Sequence, residues 1–281
     1  MKKKSIKNKV GGLSFIKMQS SGNDFILIDN PERKISTQSL KILAVQLCKR
    51  RMSIGADGLI VWEKHKGLDG FMRIFNPDGS EPKMCGNGAR CFAYYLSRKF
   101  KKGRVIFKTH SSVVFSDVKD SRVSIKMPDV KEIRSVKVKS KSRSFTADFL
   151  NTGVPHTVIF VKNVDKFDLL KYAPSIRYDK AMFPEGTNVN FVEKLGKDEI
   201  RMRTYERGVE GETLSCGTGA VASSIVYARR FCKRESHNIR IKVSSGDYLV
   251  ATFRNKGDSF FDIWLESDVG FIYEGHLIGE K

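Results

Sequence analysis

Two cysteines stand in matching turns of this 281-residue chain, and the residues around them suit acid–base chemistry. Cys85 opens the stretch CGNGAR, and Cys216 opens the stretch CGTGAV. In both, a Gly-Ala step leads into an apolar run that predicts a buried helix. Because the first N–H groups of a helix have no partner within it, each turn offers hydrogen-bond donors beside a thiol.

The repeated turn predicts that two thiols act on opposite faces of one carbon atom. One thiolate would remove an α-proton while the opposite thiol delivers a proton to the other face, which inverts the stereocentre without metal or cofactor. We expect a helix N-terminus to lower both thiol pKa values and to stabilise the carbanion through its bound carboxylate. The backbone N–H groups expected to bind that carboxylate are those of Gly86, Asn87, Gly217 and Thr218.

The composition excludes several other functional classes. The formal net charge is +20, but the basic residues are scattered and no nucleic-acid-reading module is recognisable, which disfavours a nucleic-acid partner. No segment is apolar enough to predict a membrane span or a secretory signal. Five cysteines at irregular spacing predict reduced thiols in a cytoplasmic protein, with Cys48, Cys91 and Cys232 as small buried hydrophobes.

The predicted elements repeat between the two halves of the chain. We therefore expect an α/β (α+β) fold of two pseudo-symmetric halves, each a mostly antiparallel sheet or barrel wrapped around a central helix. The central helices are predicted over 89–100 and 220–233, and an edge strand within 131–143. The predicted domains are a basic, disordered extension (1–12), an N-terminal half (13–128, with the C-terminal strand 269–281 as a candidate addition) and a C-terminal half (129–268).

With these motifs in place, the sequence resembles the diaminopimelate epimerase family over nearly all of the chain after the basic extension. The stretches that carry the resemblance are KMQSSGNDFILID (17–29), IGADGLIVWE (54–63), MRIFNPDGSEPKMCGNGARC (72–91), NTGVPH (151–156), GTNVNFVE (186–193) and YERGVEGETLSCGTGA (205–220). The resemblance implies a cofactor-independent isomerase that converts LL- to meso-diaminopimelate for lysine and peptidoglycan synthesis. It also implies a homodimer with the active site in a cleft between the halves.

The resemblance assigns roles to individual residues. It implies a catalytic pair of Cys85 and Cys216, thiol-tuning groups His156 and Glu206, and substrate ligands Asn23, Asn76, Gly86, Asn87, Asn188, Glu206, Arg207, Gly217 and Thr218. From the residues alone, Asn76 also fits a plain turn, Arg207 a surface ion pair and His156 a structural histidine.

Two positions depart from the family pattern. Val154 and Gly58 stand where some members have Asn and Gln in contact with substrate, and Asn151 is a candidate replacement for the first of these. Three alternatives stay open: a racemase of the same fold acting on histidine or proline, the phenazine-type isomerase branch, which lacks paired cysteines, and a non-catalytic basic binding protein.

Overall fold

The structure is a computed structural model that describes residues 12–278. The predicted disordered extension, residues 1–12, lies outside the described residues except for Gly12. The described chain divides into two compact units. The first runs to Ile125 and includes the segment from Asp268 onward, and the second spans Lys126–Ser267.

The first unit is one curved sheet with two helices. Its elements are β1 (Ser14–Ser20), β2 (Asn23–Asp29), α1 (Thr37–Leu47), β3 (Gly58–His65), β4 (Leu68–Phe75), α2 (Gly86–Phe100), β5 (Arg104–Lys108), β6 (Val113–Lys119), β7 (Arg122–Lys126) and β17 (Gly270–His276). The strands lie in the order β17-β1-β2-β3-β4-β5-β6-β7. Neighbours are antiparallel except for the parallel pairs β2–β3 and β4–β5.

The second unit has the same arrangement of strands. Its elements are β8 (Ile133–Ser140), β9 (Arg143–Asn151), β10 (Pro155–Phe160), α3 (Leu169–Arg177), β11 (Asn188–Gly196), β12 (Glu199–Glu206), β13 (Gly211–Thr213), α4 (Gly217–Phe231), β14 (Ser236–Lys242), β15 (Tyr248–Lys256) and β16 (Ser259–Asp268). The order is β8-β9-β10-β11-β12-β14-β15-β16, with parallel pairs again at the third and fifth contacts. The short β13 pairs with β12. Each unit therefore repeats one topology, which confirms the predicted fold class.

One helix fills the centre of each sheet. Helix α2 packs against β1 through β6, and α4 packs against β9 through β12, β14 and β15. Their apolar residues, such as Phe92 and Ile225, are fully buried, as the run of apolar residues around each helix predicts. The other two helices cover separate clusters, and α1 buries Leu40, Leu43 and Leu47 on one face. None of the helices within 12–278 has the length and apolar character that crossing a bilayer requires.

The expected elements are present, with differences at the glycine turns. The basic segment forms β8, which pairs with β9 alone among the described strands and is an edge strand, as predicted. Both central helices begin three residues earlier than predicted, at Gly86 and Gly217. Two strands were not expected: β13, and a fourth strand in the closing part of the chain.

A buried ion cluster attaches the end of α4 to the sheet. Arg229 and Arg230 in the last helical turn both bind the Asp148 carboxylate of β9, at 3.2 and 2.6 Å, and Ser135 Oγ donates to it at 2.7 Å. The Asp148 side chain is 1% exposed. Two cations in the last turn also complement the negative C-terminal end of the helix.

Replacing Asp148 should leave Arg230 without this carboxylate, while Arg229 keeps Asp258 at 3.0 Å. We expect Asp148→Ala to lower the free energy of unfolding by about 1.5–3 kcal/mol, the size of a charged hydrogen bond, because both guanidinium groups are partly exposed. The matched control is Glu132→Ala, which removes an exposed carboxylate 3.9 Å from Arg134 and should cost less than about 1 kcal/mol. Urea unfolding followed by circular dichroism measures both, and equal losses in the two variants would contradict this assignment.

Candidate active site

The first cysteine turn places the Cys85 thiol at the start of α2. Cys85 is the N-cap residue, with extended backbone, and its sulfur accepts a hydrogen bond from Gly88 N at 3.4 Å. Its carbonyl accepts from Ala89 N at 2.8 Å, which starts the helical ladder. The thiol is partly exposed. The turn thus holds an accessible sulfur at the positive end of a helix.

The second turn repeats this arrangement at the start of α4. Cys216 is the N-cap residue, its carbonyl accepts from Ala220 N at 2.9 Å, and its sulfur lies 3.6 Å from Thr218 Oγ1. Gly219 has to be a glycine because a Cβ there would collide with the side-chain oxygen of Asn190. The same backbone therefore recurs, but with a more crowded sulfur.

Because Cys216 is buried, the pKa of its thiol differs from the one expected from the sequence. The residue is 5% exposed. Burial, together with the charge of the nearby Glu206 carboxylate, raises the pKa of the Cys216 thiol to about 12. The prediction that the helix N-terminus lowers this pKa is wrong for Cys216, because loss of solvent outweighs the helix dipole. The Cys216 thiol is protonated at neutral pH.

Glu206 ends β12 beside this thiol. Burial raises the pKa of the Glu206 carboxyl above its ordinary value, and interaction with the Cys216 side chain partly opposes the rise. The structure thus brings together two of the predicted site residues, the protonated Cys216 thiol and the Glu206 carboxyl, in a place largely shielded from water.

His156 in the same unit is neutral and has a defined tautomer. It is completely buried, and burial lowers its pKa to about 3. Thr204 Oγ1 donates to Asn190 Oδ1 at 2.9 Å, which turns the Asn190 amide nitrogen towards His156 Nδ1 at 3.0 Å. Nδ1 therefore accepts, and the proton lies on Nε2, which has no hydrogen-bond partner within residues 12–278. His156 presents an unused donor and carries no charge.

The amide of Asn23 lies next to the first thiol. Asn23 Nδ2 donates to Asp57 Oδ2 at 2.7 Å, and its Oδ1 accepts from Asn87 Nδ2 at 3.3 Å. Cys85 Sγ lies 4.0 Å from the same oxygen. Because Asp57 fixes which way this amide points, its oxygen faces the sulfur.

Asn76 lies in a tight turn between β4 and α2. Its Nδ2 donates to Ser80 Oγ at 2.9 Å, and its backbone bonds Ser80 and Gly79. These hydrogen bonds all lie inside the turn, which agrees with the plain-turn interpretation of FNPDGS.

Asn188 and Arg207 form a connected pair in the second unit. Asn188 Nδ2 donates to the Pro155 carbonyl at 3.0 Å, and its Oδ1 accepts from Arg207 N at 2.8 Å. The Arg207 guanidinium donates to the Glu185 carbonyl at 2.8 Å. That bond uses one of the five guanidinium N–H groups, so the side chain is oriented by neutral backbone.

Of the two positions that depart from the family pattern, Gly58 has a structural explanation. At Gly58 a Cβ would lie 3.1 Å from the Phe75 carbonyl, so close strand packing favours glycine. Val154 ends a turn in which Asn151 Oδ1 accepts from Gly153 N at 2.8 Å. Asn151 is therefore engaged in forming the turn, and its candidate role as a substrate ligand stays a prediction.

Sequence reasoning missed three buried polar residues that shape the second unit's site. Asn190 and Thr204 fix the tautomer of His156, and Thr152 Oγ1 donates to the Thr218 carbonyl at 3.0 Å, which anchors the first turn of α4. A signal for Asn190 was present in the stretch GTNVNFVE, where a second asparagine points to the same side of the strand as Asn188.

Comparison with known sequences identifies close relatives. The sequence profile of the family described as "Diaminopimelate epimerase" matches residues 15–132 and 149–263. A protein named "Diaminopimelate epimerase" from Methanocella arvoryzae is 43% identical over 280 residues, covering 94% of this chain and 96% of the relative. A protein of the same name from Hydrogenobaculum sp. is 38% identical over 274 residues, covering 93% and 97%.

Solved structures share the fold at low sequence identity. A phenazine biosynthesis protein of the PhzF family from Bacillus anthracis superimposes with a TM-score of 0.71 at 12% identity, covering 96% of this chain and 100% of that one. A hydroxyproline epimerase from Agrobacterium vitis gives 0.64 at 13% identity, covering 94% and 91%. At such identities the similarity establishes the fold alone.

The interaction between Glu206 and Cys216 predicts a change in thiol chemistry. In Glu206→Gln the negative charge is lost, so the Cys216 thiolate should form at a pH lower by roughly one unit. Alkylation by iodoacetamide across the pH range, with the Cys216 peptide quantified by mass spectrometry, measures this midpoint. In the control Glu210→Gln, which alters an exposed carboxylate bound by Arg177, the midpoint should not move. An unchanged midpoint in Glu206→Gln would contradict the interaction.

Proposed function

The chain belongs to the diaminopimelate epimerase family, and we propose that it interconverts LL- and meso-2,6-diaminopimelate by a two-base exchange of the α-proton. The observation that carries the proposal is the repetition of one cysteine-capped helix start in two units of identical topology. The named relatives align along more than nine-tenths of this chain, including both turns. The reaction makes the enzyme an isomerase, specifically an epimerase, without an organic cofactor.

Cys85 is the proton acceptor for one direction of the reaction. Its sulfur is partly exposed, lies at the N-terminus of α2 and accepts the Gly88 N–H, three conditions that favour a reactive thiolate. The thiolate removes the α-proton and becomes a thiol, while the electron pair passes into the carboxylate as an enolate-like carbanion. Free N–H groups at Gly86 and Asn87 stabilise that charge.

Cys216 is the proton donor for the same direction. Burial and the Glu206 charge keep its thiol protonated, which a donor requires. Delivery of the proton to the opposite face leaves a thiolate on Cys216 and a thiol on Cys85. Before the next forward turnover, Cys85 loses its proton to solvent and Cys216 regains one; in the reverse reaction the two cysteines exchange roles. The N–H groups of Gly217 and Thr218, with the free Nε2–H of His156, offset the transient negative charge.

The distal end of the substrate carries a second carboxylate and ammonium. We assign the carboxylate to Arg207, whose guanidinium is oriented by the Glu185 carbonyl and keeps further donors for a bidentate contact. Asn23, Asn76 and Asn188, with Glu206, supply oxygen acceptors for the ammonium. A site that binds a second carboxylate and ammonium favours diaminopimelate over amino acids that have only one of each.

Two further features belong to the proposal. Both thiols have to be reduced, which suits the cytoplasm, and no disulfide joins cysteines within residues 12–278. The homodimer implied by the family resemblance stays a prediction, and size-exclusion chromatography with light scattering measures it.

The substrate is tested with purified, reduced protein and no added cofactor. Proton NMR in deuterium oxide, with stereoisomers resolved, should show meso product from LL-diaminopimelate, and far slower α-exchange with proline, hydroxyproline or histidine. Faster exchange of the α-proton of proline, hydroxyproline or histidine would establish the racemase alternative. Absence of exchange with every substrate would support the non-catalytic binding protein.

Single cysteine replacements test the separate roles of Cys85 and Cys216 as proton acceptor and proton donor. Cys85→Ser and Cys216→Ser should each lower the epimerisation rate by at least about a thousandfold, because a serine hydroxyl is a far weaker acid than a thiol. Their circular dichroism and urea midpoints should match the wild type. Cys232→Ser, which changes a partly exposed cysteine at the end of α4, is the matched control and should retain activity. Full turnover by either site variant would rule out the two-base mechanism.

A further inference from the structure

Arg90 is a completely buried arginine in the second turn of α2. Its guanidinium donates from Nε to Ser20 Oγ at 3.2 Å and from Nη2 to Asn87 Oδ1. Its Nη1 has no hydrogen-bond partner among the residues the structure describes. Burial lowers the pKa of Arg90 to about 10, so the group still carries its charge at neutral pH. A buried cation bonded to neutral groups is costly and requires an explanation.

The carboxylates near α2 are occupied by other cations. The pairs on the strands packed against α2, and on the adjoining loop, are Asp24 with Lys17 and Arg50, Asp29 with Lys99, Asp57 with Arg50, Glu63 with Arg33 and Arg73, Asp69 with Lys102, and Asp117 with Arg104. The other titratable groups on those strands are Lys64, His65, Lys108 and Lys119, and on α2 they are Tyr94, Tyr95 and Arg98. These pairings leave Arg90 without an anionic side chain of its own.

Two thiols remain as the groups that interact with the charge of Arg90. They are Cys91, the next residue, and Cys85, the N-cap of the same helix. Cys91 is fully buried, and burial raises its pKa far above the ordinary range, so it stays a neutral thiol. Cys85 is partly exposed and lies at the helix N-terminus. It is the one of the two thiols placed to become an anion.

A chain of side chains also connects Arg90 to the Cys85 sulfur. Arg90 holds the oxygen of the Asn87 amide, which turns Asn87 Nδ2 towards Asn23 Oδ1 at 3.3 Å. That oxygen lies 4.0 Å from Cys85 Sγ. The guanidinium therefore fixes the rotamer of one residue in the first turn and, through it, the polar wall beside the sulfur.

From this arrangement we propose that Arg90 is a positioning residue that supplies the buried counter-charge of the Cys85 thiolate and orients Asn87 and Asn23 beside it. The inference rests on the proposed function in one respect, that Cys85 acts as the proton acceptor. A purely structural Arg90 would contribute to packing and leave the acidity of the sulfur unchanged.

The test follows the thiol itself and does not depend on turnover. The intact, reduced protein is alkylated with iodoacetamide, a neutral reagent, at values from about pH 6 to 10, and the Cys85 peptide is quantified by mass spectrometry. Three variants are compared with the wild type. Arg90→Met removes the charge and keeps a side chain of similar volume. Arg90→Lys keeps the charge but loses the planar set of guanidinium donors. Asn87→Asp puts a carboxylate in contact with the guanidinium without leaving a cavity. The Cys232 peptide serves as the control thiol.

We expect the pH midpoint of Cys85 alkylation to rise by about one unit in Arg90→Met and in Asn87→Asp. Below the midpoint, the alkylation rate should therefore fall by about tenfold. Arg90→Lys should recover most of that shift, and the Cys232 midpoint should not change. If Arg90→Met fails to fold, as urea unfolding would show, Arg90→Gln decides the question, because it removes the charge without adding a carboxylate near the sulfur. An unchanged Cys85 midpoint in the folded charge-removing or charge-neutralising variants would overturn the proposal.

Failure of this inference is distinguishable from failure of the proposed function. If the wild type epimerises diaminopimelate while the Cys85 midpoint is unaffected, the role of Arg90 alone is wrong. If the midpoint shifts but diaminopimelate is not epimerised, the role of Arg90 as counter-charge is supported and the proposed substrate is wrong.

Discussion

The first turn of a buried helix has to present free N–H groups and a cysteine sulfur at one place, and each unit of this protein is organised around that requirement. The helix packs against the strands of its sheet with its apolar residues buried, and its first turn carries the cysteine. Glycines at Gly86, Gly88, Gly217 and Gly219 keep that start free of bulk. Asn23 of β2 lies beside the Cys85 sulfur, and Thr218 of α4 lies beside the Cys216 sulfur.

In the proposed two-base exchange, two chemically identical thiols must hold different protonation states to serve as base and acid, and their surroundings differ accordingly. Cys216 is dehydrated and lies beside the Glu206 carboxylate, so its proton is retained. Cys85 is more exposed, accepts a backbone N–H and lies near the buried cation of Arg90. The repeated topology therefore provides the symmetry that a reversible proton exchange needs, and unequal burial provides the asymmetry that starts it.

Much of the fold was predictable from the sequence, because helix and strand periodicity and the repeated CGxGA turn are local signals. The fold class, the central helices and the edge strand β8 follow from them. The helix starts were placed too late because the glycines of each turn weaken a helical pattern, although here they are the first helical residues. The raised pKa of Cys216 was not predictable, since burial of a particular sulfur depends on tertiary packing.

The site was less completely predictable than the fold. The paired cysteines were predicted from the repeated turn and Glu206 from the family resemblance, whereas Asn190, Thr204 and Thr152 act through contacts between residues far apart in sequence. Arg90 belongs to a quoted motif, but only the structure shows that it is buried and that the carboxylates on the strands packed against α2 bind other cations.

The central claim is that two different thiols take and give the α-proton. The most direct measurement is the position of solvent deuterium at the first few per cent of conversion of LL-diaminopimelate in deuterium oxide. A two-base exchange predicts deuterium at the inverted carbon of the meso product and essentially none in the recovered LL substrate. Equal deuterium in substrate and product at early times would indicate a single base that reaches both faces, and it would contradict the account.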